Sequence, residues 1–317
     1  MIILNLILFL AFLFLLIKFS SYAIRFSSRI ARILHFPEFV VSFFIVALIS
    51  VLPETTISVI AAINRDPKLG LGTLLGSNVA DLTLVFGIVS LISSKGIPIK
   101  SKILSNNLFY LVLLVFPLIL GYDGELSRID GTILILLGMI FFMRIYDESN
   151  KHRKEFDYAK KGHFIKNLIF LIGSLGVILL SAFLTVKFAV NFAGDIKLPT
   201  ILIGLTVLAL GTCLPELIFS IRAVRKNHDE LALGDLLGTV ITDATIILGL
   251  VALISPFSYN PVRFCVTAGA MFLAGLLTTT FMKTDKKINK IEGVLLILFY
   301  FVFVVTEFLV NDMLVIN

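Results

Sequence analysis

Tryptophan is absent from this 317-residue chain, cysteine occurs twice and histidine four times. Only 15% of residues are charged, against about 25% in a soluble domain. With 58% apolar residues and a mean hydropathy of +1.03, the chain is an integral membrane protein with no room for a sizeable soluble domain. Tyr and Phe must then serve at the membrane interfaces, where Trp is otherwise common. Cys213 and Cys265 sit in apolar stretches and form neither a disulfide framework nor a metal-type spacing. His35, His152, His163 and His228 all fall in expected loops, which leaves no histidine cluster for zinc or copper. The net charge of +6 reads as basic loops at a membrane face, not as a nucleic-acid surface. The N-terminus lacks a basic leader and a small-residue cleavage site, so it reads as a retained first helix.

What the chain does have is long apolar runs. Ten segments reach the roughly 20 residues that a spanning helix needs: about 2–20, 38–63, 70–94, 103–121, 129–146, 166–188, 198–221, 231–255, 262–282 and 291–310. The first is expected to continue as an amphipathic turn or two through Arg25, Arg29 and Arg32. Assigning the connectors alternately to two sides puts roughly 21 Lys and Arg on one side and roughly 6 on the other. The rich side holds the charged 147–165 loop and is expected to be cytoplasmic, which places both termini outside.

Displaced by 162 positions, the sequence lies on itself without a gap. "FPEFVVSFFIVALISVLPETTISVIAAI" meets "LPTILIGLTVLALGTCLPELIFSIRAVR", and "LGLGTLLGSNVADLTLVFGIVSLIS" meets "LALGDLLGTVITDATIILGLVALIS". Roughly 21 of about 57 positions from Pro37 to Ser93 are identical. The matches include Pro53/Pro215, Glu54/Glu216, Ser58/Ser220, Gly76/Gly238 and Asp81/Asp243. Each half holds five spans, an odd number, so the second enters the membrane from the opposite side. The fold expected is all-α: ten transmembrane helices in two inverted-topology five-helix repeats, residues 1–146 and 166–317, with the internally similar cores at 37–93 and 199–255. Such repeats place a substrate site near the midplane at their interface.

The repeated residues carry oxygen. Pro53 and Pro215 lack an N–H, so the carbonyls of Ile49 and Gly211 lose their helical donors. Ser50, Glu54 and Ser58 follow at spacing four on one helical face, as do Thr212, Glu216 and Ser220. Ser77 and Asp81 share a face of the next span, as do Thr239 and Asp243. One carboxylate at membrane depth costs about 2.5–3.5 kcal/mol on insertion scales, and four together repel one another. They must meet cations or take up protons. Carboxylates, hydroxyls and carbonyls are hard ligands of the kind calcium takes in numbers of about six to eight.

At these residues the chain resembles the calcium/cation antiporter superfamily, the sodium/calcium exchangers and their relatives. Their two repeats carry a G-[TN]-S-x-P-E stretch and then G-[ND]-x-x-G-S with an Asn or Asp one turn on. Here the repeats read "ISVLPETTIS … LGTLLGSNVAD" and "GTCLPELIFS … LGDLLGTVITD". The resemblance spans essentially the whole chain. It implies Glu54 and Glu216 as central calcium ligands shared with the coupling ion. It implies Asp81 and Asp243 as completing the central site, and Ser50, Thr212, Ser77 and Thr239 as auxiliary ligands; Ser58 and Ser220 join the candidate set from the helical spacing above. It implies no cofactor, only transported ions, calcium with sodium or protons, and partners limited to those ions and the lipid of a prokaryotic plasma membrane. No soluble regulatory domain is expected, unlike in animal members. Three departures bear on coupling. Val51 and Cys213 stand where hydroxyls usually help hold sodium, Ile49-Ser50 replaces the first Gly-Thr, and Asp81 stands where many relatives carry Asn. Sodium coupling is put first on the family pattern, and proton coupling second on these departures.

Two other classes compete. An intramembrane aspartyl protease would use two membrane Asp residues, and Leu233-Gly234-Asp235 resembles part of its signature. But Tyr122-Asp123 and Tyr146-Asp147 lie at span ends, no Pro-Ala-Leu follows in the last two spans, and the repeat would go unexplained. A passive cation channel would not need ionisable residues repeated in both halves. Asp235 reads as an acid near a helix start, with ion entry as its other possible role, and Glu307 as a structural residue near the outer end of its span, within reach of water.

Overall fold

A computed structural model describes residues 2–34, 42–63, 67–93, 95–99, 108–150, 161–195, 209–284 and 287–316. Helix falls on each of the ten expected spans among these residues. The first residues of the spans at 38, 103 and 198, together with His35 and His152, lie outside them.

Helix α1 is Ile2–Leu34. Helix α2 is built of a π-helical turn Ser42–Val46, a turn Ala47–Ser50 and, after Val51, a helix Leu52–Ile63. Helix α3 is built of Pro67–Ala80, a π-turn Asp81–Val85 and Phe86–Ile92. Then come α4 (Leu108–Leu120), α5 (Arg128–Asn150) and α6 (Lys161–Asp195). Helix α7 is Ala209–Thr212 and, after Cys213, Leu214–Arg225. Helix α8 is Asp229–Ile241, a π-turn Thr242–Ile247 and Leu248–Ile254. The chain continues through α9 (Pro261–Lys283) and α10 (Lys290–Ile316). Among the described residues, seven of these are long and apolar enough to cross a membrane, and α4 carries a shorter apolar run, Tyr110–Leu120.

The expected short amphipathic extension of the first span is in fact one unbroken helix. At about 1.5 Å per residue, α1 measures about 50 Å, more than the roughly 30 Å of hydrocarbon. It packs along α6 through Phe12 on Phe188 and Phe26 on Phe170, stacked at 5.7 and 5.2 Å, and Asn5 donates to Asp195 at 2.8 Å. His163, expected in a loop, falls in the first turn of α6.

Helices α3 and α8 form the centre. In each, 78% of the spanning stretch is buried, against 11% in α1 and 28% in α5 and α10. The outer helices expose Ile169, Ile172, Leu180, Val302 and Val305, as a lipid-facing surface should, while Glu, Asp, Ser and Thr collect inside. Glycines set the close approaches. A Cβ on Gly87 of α3 would meet the Gly293 carbonyl of α10 at 2.6 Å, and one on Gly131 of α5 would meet the Gly249 carbonyl of α8 at 2.6 Å. These two contacts are the same contact displaced by 162 residues.

The connectors follow the same rule. Among the described residues, four two-residue strands, not expected from the sequence, pair antiparallel as β1 (Ile97–Pro98) with β4 (Lys287–Ile288) and β2 (Glu125–Leu126) with β3 (Phe257–Ser258). Reciprocal capping bonds open α5 (Ser127 with Asp130) and α10 (Asn289 with Glu292), satisfying orphan donors at each helix start.

Candidate functional site

Each Pro-Glu segment begins with a one-residue break. Val51 interrupts α2 and Cys213 interrupts α7, both two residues before the proline. Cys213 adopts φ −75° and ψ −6°, between the helical and bridge regions. Backbone bonds still cross each break, from Val51 N to Ala47 O and from Cys213 N to Ala209 O. The proline therefore frees one carbonyl without unwinding a turn, a narrower interruption than the sequence implies.

On the facing helices the carboxylates sit at π-turns. Asp81 opens the turn Asp81–Val85 and Asp243 is second in Thr242–Ile247. A π-turn is inserted where i→i−4 bonding is locally abandoned, commonly at functional sites. Threonines absorb some of the displaced acceptors: Thr278 of α9 donates to the Leu82 carbonyl at 2.6 Å.

Glu54, Glu216, Asp81 and Asp243 are all 0% exposed. None of their eight carboxylate oxygens completes a hydrogen bond. A buried acceptor without a donor costs the full desolvation of that group, so a set of this kind calls for cations or protons to balance it. The polar neighbours cross between the two halves of the chain. Thr212 lies beside Glu54 and Ser77 beside Asp243, each near enough to interact though short of a completed bond. The Cys213 thiol lies beside Asp81 and donates to the Ser77 carbonyl at 3.5 Å. Ser50 donates to Asp235 at 2.9 Å and stands 3.2 Å from the Thr239 hydroxyl. The halves are thus interleaved, α2 against α8 and α7 against α3.

Two residues, Asp235 and Glu307, depart from their expected places. Asp235 is not a helix-start acid, because α8 begins at Asp229 and carries Asp229 and Glu230 in its first turn. Asp235 is 0% exposed and accepts a hydrogen bond from Ser50 of α2. Glu307 is not open to water: it is 2% exposed and accepts a hydrogen bond from Thr267 of α9. Ser58 donates to the Gly70 carbonyl at 3.4 Å, joining α2 to α3 where Gly70 leaves a gap of only 3.0 Å for a Cβ. Ser220, its counterpart, is buried without a partner. Sequence reasoning also missed Asn78, Tyr110 and Tyr300, whose Oδ1 and hydroxyl oxygens are buried without partners. Lone tyrosines inside apolar runs were the available signal.

Among the described residues, no three His, Cys, Asp or Glu side chains close on one point as a metal cage. The oxygens this region offers a hard cation are carboxylates, hydroxyls and carbonyls.

Fold and site together define a polytopic membrane protein with hard oxygen donors buried at its centre. The chain belongs to the sodium/calcium exchanger protein family, which matches residues 4–146 and 166–309. It is accordingly a membrane transporter and not an enzyme. It is 28% identical to the sodium/calcium exchanger MaX1 of Methanosarcina acetivorans, over 97% of this chain and 99% of that protein. An uncharacterised membrane protein of Methanocaldococcus jannaschii is 30% identical over 93% of this chain and 95% of its own length. The solved structure of the sodium-calcium exchanger NCX_Mj, soaked with sodium and strontium, superposes with a TM-score of 0.83 at 29% identity, covering 95% of this chain and 98% of that one.

Proposed function

We propose that the protein is a secondary active antiporter that exchanges calcium for sodium by alternating access. The observation that carries this reading is the pair Glu54 and Glu216, fully buried at matching breaks with all four carboxylate oxygens unpartnered. Glu54 and Glu216 are the central ligands, used in turn by calcium and by the coupling ion. Asp81 and Asp243 complete the central site, and Ser50, Thr212, Ser77 and Thr239 supply neutral oxygens with the freed carbonyls of Ile49 and Gly211. Ser58 and Ser220 stand one turn further along the same faces.

The same geometry explains exchange as opposed to leak. Without cations the carboxylates repel across a low-dielectric interior, and occluding them uncompensated is costly. Loading with calcium, or with several monovalent ions, neutralises them and lets the site close and reopen on the other side. An empty carrier cannot make the crossing cheaply, so one ion returns only in exchange for the other. The reading takes ten spans in two inverted five-helix repeats, 1–146 and 166–317, a cytoplasmic 147–165 loop, and both termini outside a prokaryotic plasma membrane. The displaced pair of glycine contacts and the paired capping boxes support that symmetry.

Proton coupling is the second reading, favoured by Val51 and Cys213, both 2% exposed, where hydroxyls for sodium are missing, and by the added acid Asp81. Calcium uptake into proteoliposomes decides between them. An outward sodium gradient should drive uptake, and a pH gradient alone should not. Uptake driven by pH alone overturns sodium coupling, and rapid uptake without any counterion gradient or exchange overturns antiport.

A further inference from the structure

The outward side of α1 changes character part-way along. Ile7 and Phe14 are exposed apolar residues, and the same face continues at helical spacing as Lys18, Tyr22, Arg25 and Arg29. The opposite face does not change. Leu16, Ser20, Ala23, Ser27 and Ile30 are all fully buried. This end of α1 is therefore held against the bundle, and its basic face turns outward at a fixed place. Arg29 lies about 39 Å along the helix from Ile3 at about 1.5 Å per residue. That distance passes the roughly 30 Å of hydrocarbon and ends inside the headgroup layer of a bilayer about 40–45 Å thick. Tyr22 suits the boundary between the two layers.

Helix α6 brings a second cation to the same level. The helices run antiparallel, with Phe12 on Phe188 and Phe26 on Phe170. About one turn beyond the Phe26–Phe170 stack, towards the same end, stand Arg29 of α1 and Lys166 of α6. The Arg29 guanidinium lies 5.9 Å from the centroid of the Phe26 ring. Cation–π attraction there orients its plane and leaves its planar fork of N–H donors for an oxyanion. Lys166 is exposed, and among the described residues no carboxylate pairs with Arg25, Arg29 or Lys166. The other end of the helix pair closes on itself: beyond the Phe12–Phe188 stack, Asn5 donates to Asp195 at 2.8 Å. Next to the cations, on the side of the hydrocarbon, Ile169, Phe170 and Ile172 are exposed. We propose that Arg29 and Lys166, with Arg25 and Tyr22 beside them, form a site for the headgroup of an anionic phospholipid. The phosphate pairs with the Arg29 fork and the Lys166 ammonium, and an acyl chain lies along Ile169, Phe170 and Ile172. The apolar rim selects a lipid over a soluble phosphate, and two unpaired cations select a net negative headgroup over a zwitterionic one. Basic loops at a membrane face are general. The stack that holds Arg29, and the register that sets Lys166 level with it, are particular to this helix pair. The site lies apart from the carboxylate centre, and it holds whichever leaflet this end of α1 meets.

The test uses the full-length protein in a neutral detergent, titrated with dioleoylphosphatidylglycerol, dioleoylphosphatidylcholine or inorganic phosphate. Two quantities are read: the melting temperature, and the lipid retained in native mass spectrometry. Phosphatidylglycerol should raise the melting temperature and stay bound, and the other two should do neither. Arg29→Gln and Lys166→Gln should each raise the half-stabilising phosphatidylglycerol concentration by about fivefold, about 1 kcal/mol. Lys166 is exposed, so Lys166→Gln keeps the test decisive if Arg29→Gln folds poorly. Arg128→Gln removes an exposed cation at the start of α5 and should shift that concentration by less than about twofold. Equal stabilisation by phosphatidylcholine overturns the site, as does a response within about twofold of wild type in both Arg29→Gln and Lys166→Gln. An equal loss in Arg128→Gln overturns it too, because the attraction is then general to positive charge. Stabilisation by inorganic phosphate alone overturns the lipid as occupant.

Discussion

Replacing Glu54 by Gln should produce two effects of opposite sign. Glu54 is 0% exposed with both carboxylate oxygens unpartnered, so its charge is buried without compensation. Without calcium, the neutral and nearly isosteric amide removes an uncompensated buried charge, so the ion-free protein should melt higher, not lower. With calcium, the same change removes a central ligand charge. Two unit charges about 4 Å apart at an effective dielectric near 20 interact by about 4 kcal/mol, and each 1.4 kcal/mol or so is tenfold in affinity. Calcium affinity should therefore fall by about a thousandfold, a lower bound for a divalent ion. The assays are thermal melting in detergent across a calcium titration and calcium flux in proteoliposomes. Wild type should gain stability from calcium; Glu54→Gln should start higher, gain little and carry no flux. Glu216→Gln, at the matching break, should behave alike. A Glu54→Gln protein that keeps the calcium-induced stabilisation and near wild-type flux would refute the assignment, and one that simply unfolds would show that Glu54 serves packing.

A cysteine placed between Lys151 and Lys161, on a background lacking Cys213 and Cys265, should react with impermeant reagents only from the cytoplasmic side, and one placed after Asn311 only from outside; the reverse pattern would overturn the span count or the charge reasoning. Val51→Ser combined with Cys213→Ser should strengthen the sodium dependence of calcium flux by restoring two hydroxyls, while in the proton-coupled case Asp81→Asn should flatten the pH dependence. A flat sodium response in wild type and double variant, with pH dependence lost in Asp81→Asn, would eliminate sodium coupling. Gly249→Val should cost about 1–3 kcal/mol of stability by overpacking, because the helices of Gly249 and Gly131 meet backbone to backbone; an unchanged melting temperature would show that α5 yields freely.

Much of this protein was determined by sequence alone. Hydropathy is a local property, and lipid admits few ways to satisfy a backbone, so the apolar runs fixed where the helices lie. Polar residues and glycines coincide rarely in such runs, so the repeat of Pro53-Glu54 and Asp81 at Pro215-Glu216 and Asp243 was legible, and with it the core of the candidate site. Tertiary structure decided the rest. Six residues from the start of α8, Asp235 looks like any acid near a helix start, and Glu307 like any acid near a membrane surface. Whether water reaches them depends on which helices cover them. For Asp235 that cover comes from α2, brought so close that a Cβ on Gly238 would meet the Ala47 Cβ at 2.6 Å; for Glu307 it includes α9, through Thr267. The π-turns at Asp81 and Asp243 were equally hidden, because an extra residue in a helical turn leaves the apolar pattern almost unchanged. The pairing of Ser50 with Asp235 joins residues 185 positions apart, and no local pattern encodes a contact made only when two halves of a chain interleave.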